Sequence, residues 1–348
     1  MTHSASQHRT PSRGLHALAV LLVCATFPLI WVGGLVTTYD AGMAVPDWPS
    51  TYGYNLFLYP WQTWVAGPFD LFIEHGHRLL GAGVGLITLV LVAAAWLWDD
   101  RPWLRLVALT ALVAVIGQGA LGGMRVLFDD RQLAMIHGCV GPAFFALAAS
   151  LAVFTSRSWH TTEPLGVPEA RRFQRLALLT AVLAYLQLVL GAGLRHLPVD
   201  ATVGYFRALV LFHLLMAAAV LVHAVLLVRG ASALAHWGLF RRSLLLLALV
   251  LGQWTLGAGT WIVKYGWPSW FADWSLAAGY TIQTNSLTQA LTTTAHVANG
   301  SLILAWSVTL AVRALRMFPV LVDAQDGTTA VSSNDSSRPS AMLRGVSR

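Results

Sequence analysis

The chain has 348 residues, of which 56% are hydrophobic and only 11% charged, with a formal net charge of +7. A soluble domain carries roughly 25% charged residues, so a soluble enzyme is excluded, and the apolar content excludes a disordered or collagen-like chain. Cys24 and Cys139 both lie in apolar runs, which removes a disulfide-stapled fold and any cysteine-based zinc or iron–sulfur site.

About 20 apolar residues cross the hydrocarbon core of a bilayer. The sequence predicts eight such helices, near residues 16–36, 77–98, 104–124, 134–154, 174–194, 208–228, 243–263 and 289–312. The polar stretch from Met1 to Arg13 is too short, and the apolar run behind it too long, for a cleaved secretory signal. With the N-terminus in the cytoplasm, 16 of the 22 Lys and Arg fall inside. Arg78, Arg125, Arg131, Arg195, Arg207 and Lys264 fall outside. That bias follows the positive-inside rule, so the basic excess calls for no nucleic-acid partner. The loops from Thr37 to Glu74 and from Lys264 to Thr288 then face outward. Their Trp48, Trp61, Trp64, Trp267, Trp270 and Trp274 suit an interfacial belt.

The odd-numbered spans share a signature. Gln118 precedes Leu121-Gly122, Gln187 precedes Leu190-Gly191, and Gln253 precedes Leu256-Gly257. Close helix approach in lipid accounts for the glycines alone. The separation from His77 to Gln118 is 41 residues and from His213 to Gln253 is 40, so spans two and three match spans six and seven almost in register. The expectation is an all-α integral membrane protein of eight transmembrane helices, built as two duplicated four-helix bundles of the same orientation. The boundaries are a cytoplasmic N-tail at 1–15, a first bundle at 16–155, a linker at 156–173, a second bundle at 174–314 and a disordered cytoplasmic tail at 315–348.

His77, His137, His213 and His296 stand one per even-numbered span, near the outer end. An ionisable group inside a membrane is costly unless partnered, so each is a candidate functional residue. Neutral imidazole is a common axial ligand of heme iron, and a four-helix bundle can hold a heme between facing helices. The repeat pairs His77 with His137 and His213 with His296. Zinc and copper are disfavoured, because no carboxylate, Cys or third His completes either pair; a proton relay would spread its groups through the depth of the membrane.

The halves differ. Glu74-His75-Gly76-His77-Arg78 in the first corresponds to Val210-Leu211-Phe212-His213-Leu214 in the second. Glu74 and His77 share a helix face, whereas His75 points elsewhere. His77 is therefore the ligand, Glu74 a candidate general base, and Arg78 either the ion-pair partner of Glu74 or a contact for a heme propionate. The first half reads as catalytic and the second as an electron carrier. His3, His8, His16, His160 and His236 read as solvated. His223 reads as a packed or water-bonded histidine, and His196 as a loop residue or propionate contact.

Gly33-Gly34-Leu35 with Thr37 through Trp48 (TTYDAGMAVPDW), the Glu74-x-x-His77-Arg78 motif, and His137, His213 and His296 together resemble the heme A synthase family. The family's first-loop cysteine pair and an Arg after the third histidine are missing here. From His213 to His296 is 83 residues, against 60 in the first half, and the extra segment suggests a lid. The resemblance implies oxidation of the C8 methyl of heme O to the formyl of heme A for terminal oxidases. It implies His77 and His137 around substrate heme with Glu74 assisting, and His213 and His296 on a heme b. It further implies a bacterial inner membrane location, heme sites toward the outer face, a heme O synthase (protoheme farnesyltransferase) as neighbour and an electron-transfer partner; a homo-oligomer is compatible with it. The rival readings are a diheme b-type electron carrier and a heme transporter.

Overall fold

The computed structural model describes residues 12–162 and 170–318, apart from 272 and 276. Most of the two tails, and residues 163–169 of the linker, lie outside the described residues. The described chain is helical: α1 (Arg13–Thr38), α2 (Trp61–Val65), α3 (Phe69–Trp98), α4 (Pro102–Leu127), α5 (Arg131–Thr155), α6 (Arg157–Thr161), α7 (Ala170–Arg195), α8 (Val203–Ala233), α9 (Trp237–Tyr265) and α10 (Leu287–Met317). The eight long helices are each apolar enough to cross a membrane and coincide with the eight expected spans. The protein is thus a multi-pass helical membrane protein.

Helix starts fall where the sequence supplies a capping oxygen or a proline. Ser12 accepts from the Leu15 amide, Asp130 from those of Gln132 and Leu133, Thr202 from Tyr205 and Ser286 from Gln289. Pro102 occupies the first turn of α4, where a missing amide proton costs nothing. These caps carry the helices past their apolar stretches. α3 begins at Phe69, so His77 is set about 12 Å inside it at 1.5 Å per residue, rather than at its edge.

In lipid, acyl chains are as apolar as leucine, so helices associate through close packing and small residues. Ala19, Ala95, Ala108 and Ala111 are buried in one apolar cluster with Leu22, Leu91 and Leu104. Ala177, Ala224 and Ala231 lie in another with Leu227, Leu246 and Leu310. α1 packs on α3 and α5, with α4 closing the group between α3 and α5; α7 packs on α8 and α10, with α9 closing between them. α10 joins the two groups by packing on α5 and α1. Large side chains such as Leu86, Leu106, Val113 and Ile116 point outward, the surface a hydrocarbon environment requires.

The loop after α1 is tied down rather than splayed. The Asp47 carboxylate accepts from the Tyr52 and Gly53 amides and the Ser50 hydroxyl. Burial works against its ionisation, but these hydrogen bonds prevail and hold its pKa below the usual carboxylate value. The Trp48 ring covers Gly123 of α4, a position where any side chain would collide with the indole. Further along the chain, Trp267, Phe271 and Trp274 pack ring on ring.

Candidate functional site

The four histidines are each found within the first three turns of their helices. His77 is eight residues into α3, His137 six into α5, His213 ten into α8 and His296 nine into α10, about 9 to 15 Å along each axis. They form two facing pairs. The rings of His77 and His137 have centroids 6.4 Å apart with planes inclined by 82°. Those of His213 and His296 are also 6.4 Å apart, inclined by 60°. Among the described residues no three His, Cys, Asp or Glu converge as a metal site, so each pair offers two imidazoles.

The odd-span glycines explain how the pairs are built. Each imidazole lies against a glycine of the preceding span. A Cβ added at Gly33 would come 2.7 Å from Cε1 of His77; at Gly122, 3.0 Å from His137; at Gly191, 3.1 Å from His213; at Gly257, 3.2 Å from His296. The glutamine four residues earlier fixes the partner helix. Gln118 Nε2 donates to the His137 carbonyl (2.7 Å) and Gln253 Nε2 to that of His296 (2.9 Å). Those amides in turn lie over Gly141 and Gly300, four residues beyond each histidine. Span one has Leu29 where the others have Gln, and Leu29 faces Gly81. The sequence signature is thus half of a reciprocal contact, glycine under histidine and glycine under glutamine; the His-x-x-x-Gly half was not read from sequence.

The nitrogens are handled unequally. His137 Nδ1 lies 3.2 Å from the Gln118 carbonyl. The carbonyls of Leu29, Gln187 and Gln253 face the other three rings, but Nδ1 of His77, His213 and His296 is buried without a hydrogen bond. The Gln187 amide lies 3.2 Å from Nε2 of His213, and that of Gln253 3.5 Å from Nε2 of His296 in addition to its carbonyl bond.

Glu74 and Arg78 are brought together. Their Oε1–Nη2 distance is 2.9 Å, with Glu74 only 1% exposed. Oε2 of Glu74 accepts from the Val45 amide, and Arg78 donates to the carbonyls of Val45, Asp47 and Ser50. The pair therefore clamps the outer loop onto α3. Both Nη atoms of Arg78 are engaged, so a propionate would have to displace a carbonyl. His75 points away from the pair, as expected, with Nδ1 3.0 Å from the Thr51 hydroxyl and its ring against Tyr59 and Trp64. The side chain common to both parts is Arg125 of α4, whose charge acts on Glu74, His77 and His137; nothing in its sequence surroundings singled it out.

Further cations gather at the histidine end. Arg195 donates to the Gly34 carbonyl and Thr38 hydroxyl, while its Nη1 is buried without a partner. His196, just past α7, is pushed down to about 4 by burial and then by Arg195, Arg125, Arg131 and Lys264; it is neutral at pH 7. Of the remaining histidines, His223 meets the Thr180 hydroxyl at 3.4 Å, in keeping with a packed residue. His236 caps α9. His16 was expected to be solvated but is half-buried with Nδ1 3.1 Å from Thr155, because α1 brings its first turn against the end of α5. His3 and His8 lie outside the described residues.

Fold and site define a class: a multi-pass helical membrane protein holding two facing imidazole pairs at one end of its helices. Residues 16–205 match the family described as cytochrome oxidase assembly protein, COX15-CtaA. That is more than half of the chain, and the protein belongs to this family. The matched stretch contains Glu74, His77, Arg78 and His137, whereas His213 and His296 lie beyond it. No curated protein matches the chain.

Proposed function

We propose that the chain is a heme A synthase, an oxidoreductase that converts the C8 methyl of heme O to the formyl of heme A during terminal oxidase biogenesis. The observation that carries this reading is the pair of equal imidazole separations, 6.4 Å in each half, combined with membership of a cytochrome oxidase assembly family. An imidazole nitrogen bonds a first-row metal at about 2 Å and sits about 1 Å from its ring centre, so two rings sharing one ion stand about 6 Å apart. The buried Nδ1 atoms leave the opposite nitrogens as the ones available to iron. The residues therefore fit two porphyrin irons.

In this reading His77 and His137 would hold the substrate heme, and His213 and His296 would hold a heme b, which would supply a redox centre for electron transfer. Glu74 is the proton acceptor. It receives hydrogen bonds from Val45 and Arg78 and donates none, the pattern of an ionised carboxylate able to act as a base. Arg78 keeps it in place, and the outer loop clamped by both limits water. Oxidation would proceed through an alcohol and a hydrated aldehyde, each hydroxylation taking its oxygen from water and releasing two protons, with Glu74 as acceptor, and two electrons to the electron-transfer partner; loss of water from the hydrate leaves the formyl group. Beside His213, Val210 and Leu214 stand where Glu74 and Arg78 stand beside His77, which supports placing the chemistry in the first half.

The two helix groups are read as duplicated bundles of one orientation, with bounds at 16–155 and 174–314. The histidine ends face outward from a bacterial inner membrane and the termini lie in the cytoplasm, as the distribution of arginines favours. A heme O synthase supplies the substrate, an electron-transfer partner accepts electrons, and a homo-oligomer is compatible with the exposed helix faces. The test is the heme content of purified protein. Heme B together with heme O, its alcohol or heme A supports the synthase. Heme B alone in both sites identifies the diheme carrier instead, and heme O that is never oxidised identifies a transporter.

A further inference from the structure

A cavity of about 270 Å³ opens where the start of α9 and the end of α10 meet α6, lined by Trp159, His236, Arg242, Arg313 and Arg316 over the apolar Leu239 and Met317. From His296 to Arg313 is 17 residues, about 26 Å along α10, so it is remote from both pairs.

Three guanidinium groups and an imidazole face this cavity. Arg313 donates to the Ser158 hydroxyl at 3.1 Å, Arg242 to the Gly238 carbonyl at 2.9 Å, and Arg316 lies over the Trp159 ring at 5.7 Å. The ion pairs found among the described residues belong to Arg78, Arg101 and Arg105, and the described lining of the cavity contains no carboxylate. Arg242 and Arg313 repel one another. Like charges gathered around a cavity need an anion to offset them. Three arginines lining one space offer the charge and the planar donor forks that suit a phosphate group.

We propose that this cavity binds the phosphate of an anionic phospholipid headgroup. Its place at the ends of two long apolar helices favours a lipid over a free ion. The exposed Trp237 at the head of α9 and exposed Leu315 on α10 flank it with the aromatic and apolar surface typical of the membrane interface, where acyl chains can run down from the phosphate. Basic pockets between helix ends at this level suit anionic headgroups. The site does not depend on the reading of the histidines.

The test is lipid retention by full-length protein, purified in detergent and supplied with phosphatidylglycerol or phosphatidylcholine, and read by native mass spectrometry. Wild type should retain phosphatidylglycerol preferentially. Arg313→Gln and Arg316→Gln should each reduce that retention roughly five-fold, the worth of one arginine near an anionic surface. Arg241→Gln removes the same charge from an exposed neighbour outside the cavity and should leave retention unchanged. Arg316 is itself exposed, so its variant keeps the test informative should Arg313→Gln fail to fold. Equal losses in all three variants, or no preference for phosphatidylglycerol, would overturn the proposal. Displacement of the lipid by millimolar inorganic phosphate would overturn the lipid source in favour of a free phosphate.

Discussion

The imidazole of His77 rests on the bare Cα of Gly33, so closely that a Cβ there would stand 2.7 Å from Cε1. The same relation holds at Gly122, Gly191 and Gly257 with slightly more room. Gly33→Ala should push the His77 ring out of line with His137 and empty the first site, while helix content by circular dichroism stays constant. Gly119→Ala is the control, because nothing lies within 4 Å of its added methyl; an open helical Gly→Ala change gains roughly 0.5–1 kcal/mol. Heme-to-protein ratios at wild-type level in Gly33→Ala would show that the contact does not set the ring.

The clamp between Glu74 and Arg78 predicts an asymmetry between its two members. Arg78→Ala strands a buried carboxylate and releases three carbonyls, so stability in detergent should fall by about 3–5 kcal/mol. Glu74→Gln keeps an acceptor for the Val45 amide and should fold with heme bound, yet form no aldehyde. Thermal unfolding and product analysis on the same two preparations separate the roles. Normal heme A formation by Glu74→Gln would remove Glu74 as the base.

His213→Ala should abolish the low-spin b-type absorbance of purified protein while leaving substrate binding at the first pair. Gln187 has its amide on Nε2 of His213 and must swing aside for that nitrogen to bind iron. Gln187→Ala should therefore load heme at least as readily as wild type. Slower loading in a titration with hemin would mean that the amide assists rather than blocks.

The depressed pKa of His196 fixes a pH dependence. Unfolded, the imidazole takes a proton near 6.5; folded, at about 4. Below pH 6.5 the unfolded state binds the extra proton, so its contribution erodes stability as pH falls from 6.5 toward 4 and is constant above 6.5. His196→Gln should flatten this part of the profile, measured as thermal midpoint between pH 7.5 and 5. An unchanged slope would assign it to other groups, Asp47 contributing only below the usual carboxylate range.

The eight spans were legible because hydrocarbon admits only long apolar helices, and the four histidines because ionisable side chains are rare within them. Their pairing followed from the near-equal spacing of His77 to Gln118 and His213 to Gln253. What the sequence did not reveal were contacts whose other half carries no residue signature. Arg78 reaches three backbone carbonyls more than 25 residues away, and any residue supplies a carbonyl. The role of Gly33 depends on where another helix sets a ring. Arg125 and Arg195 read as outer cations, although packing turns them inward, Arg125 against Gly42 and Arg195 onto Gly34 and Thr38.

The central claim is tested most directly by measuring heme A in membranes of cells that make heme O but lack any other route to heme A, with and without this chain. Expression of the wild-type chain should produce heme A, and the His77→Ala and Glu74→Gln chains, present at equal level, should leave heme O unconverted. Heme A in equal amount from the two variants, or none from the wild-type chain carrying both hemes, would contradict the account.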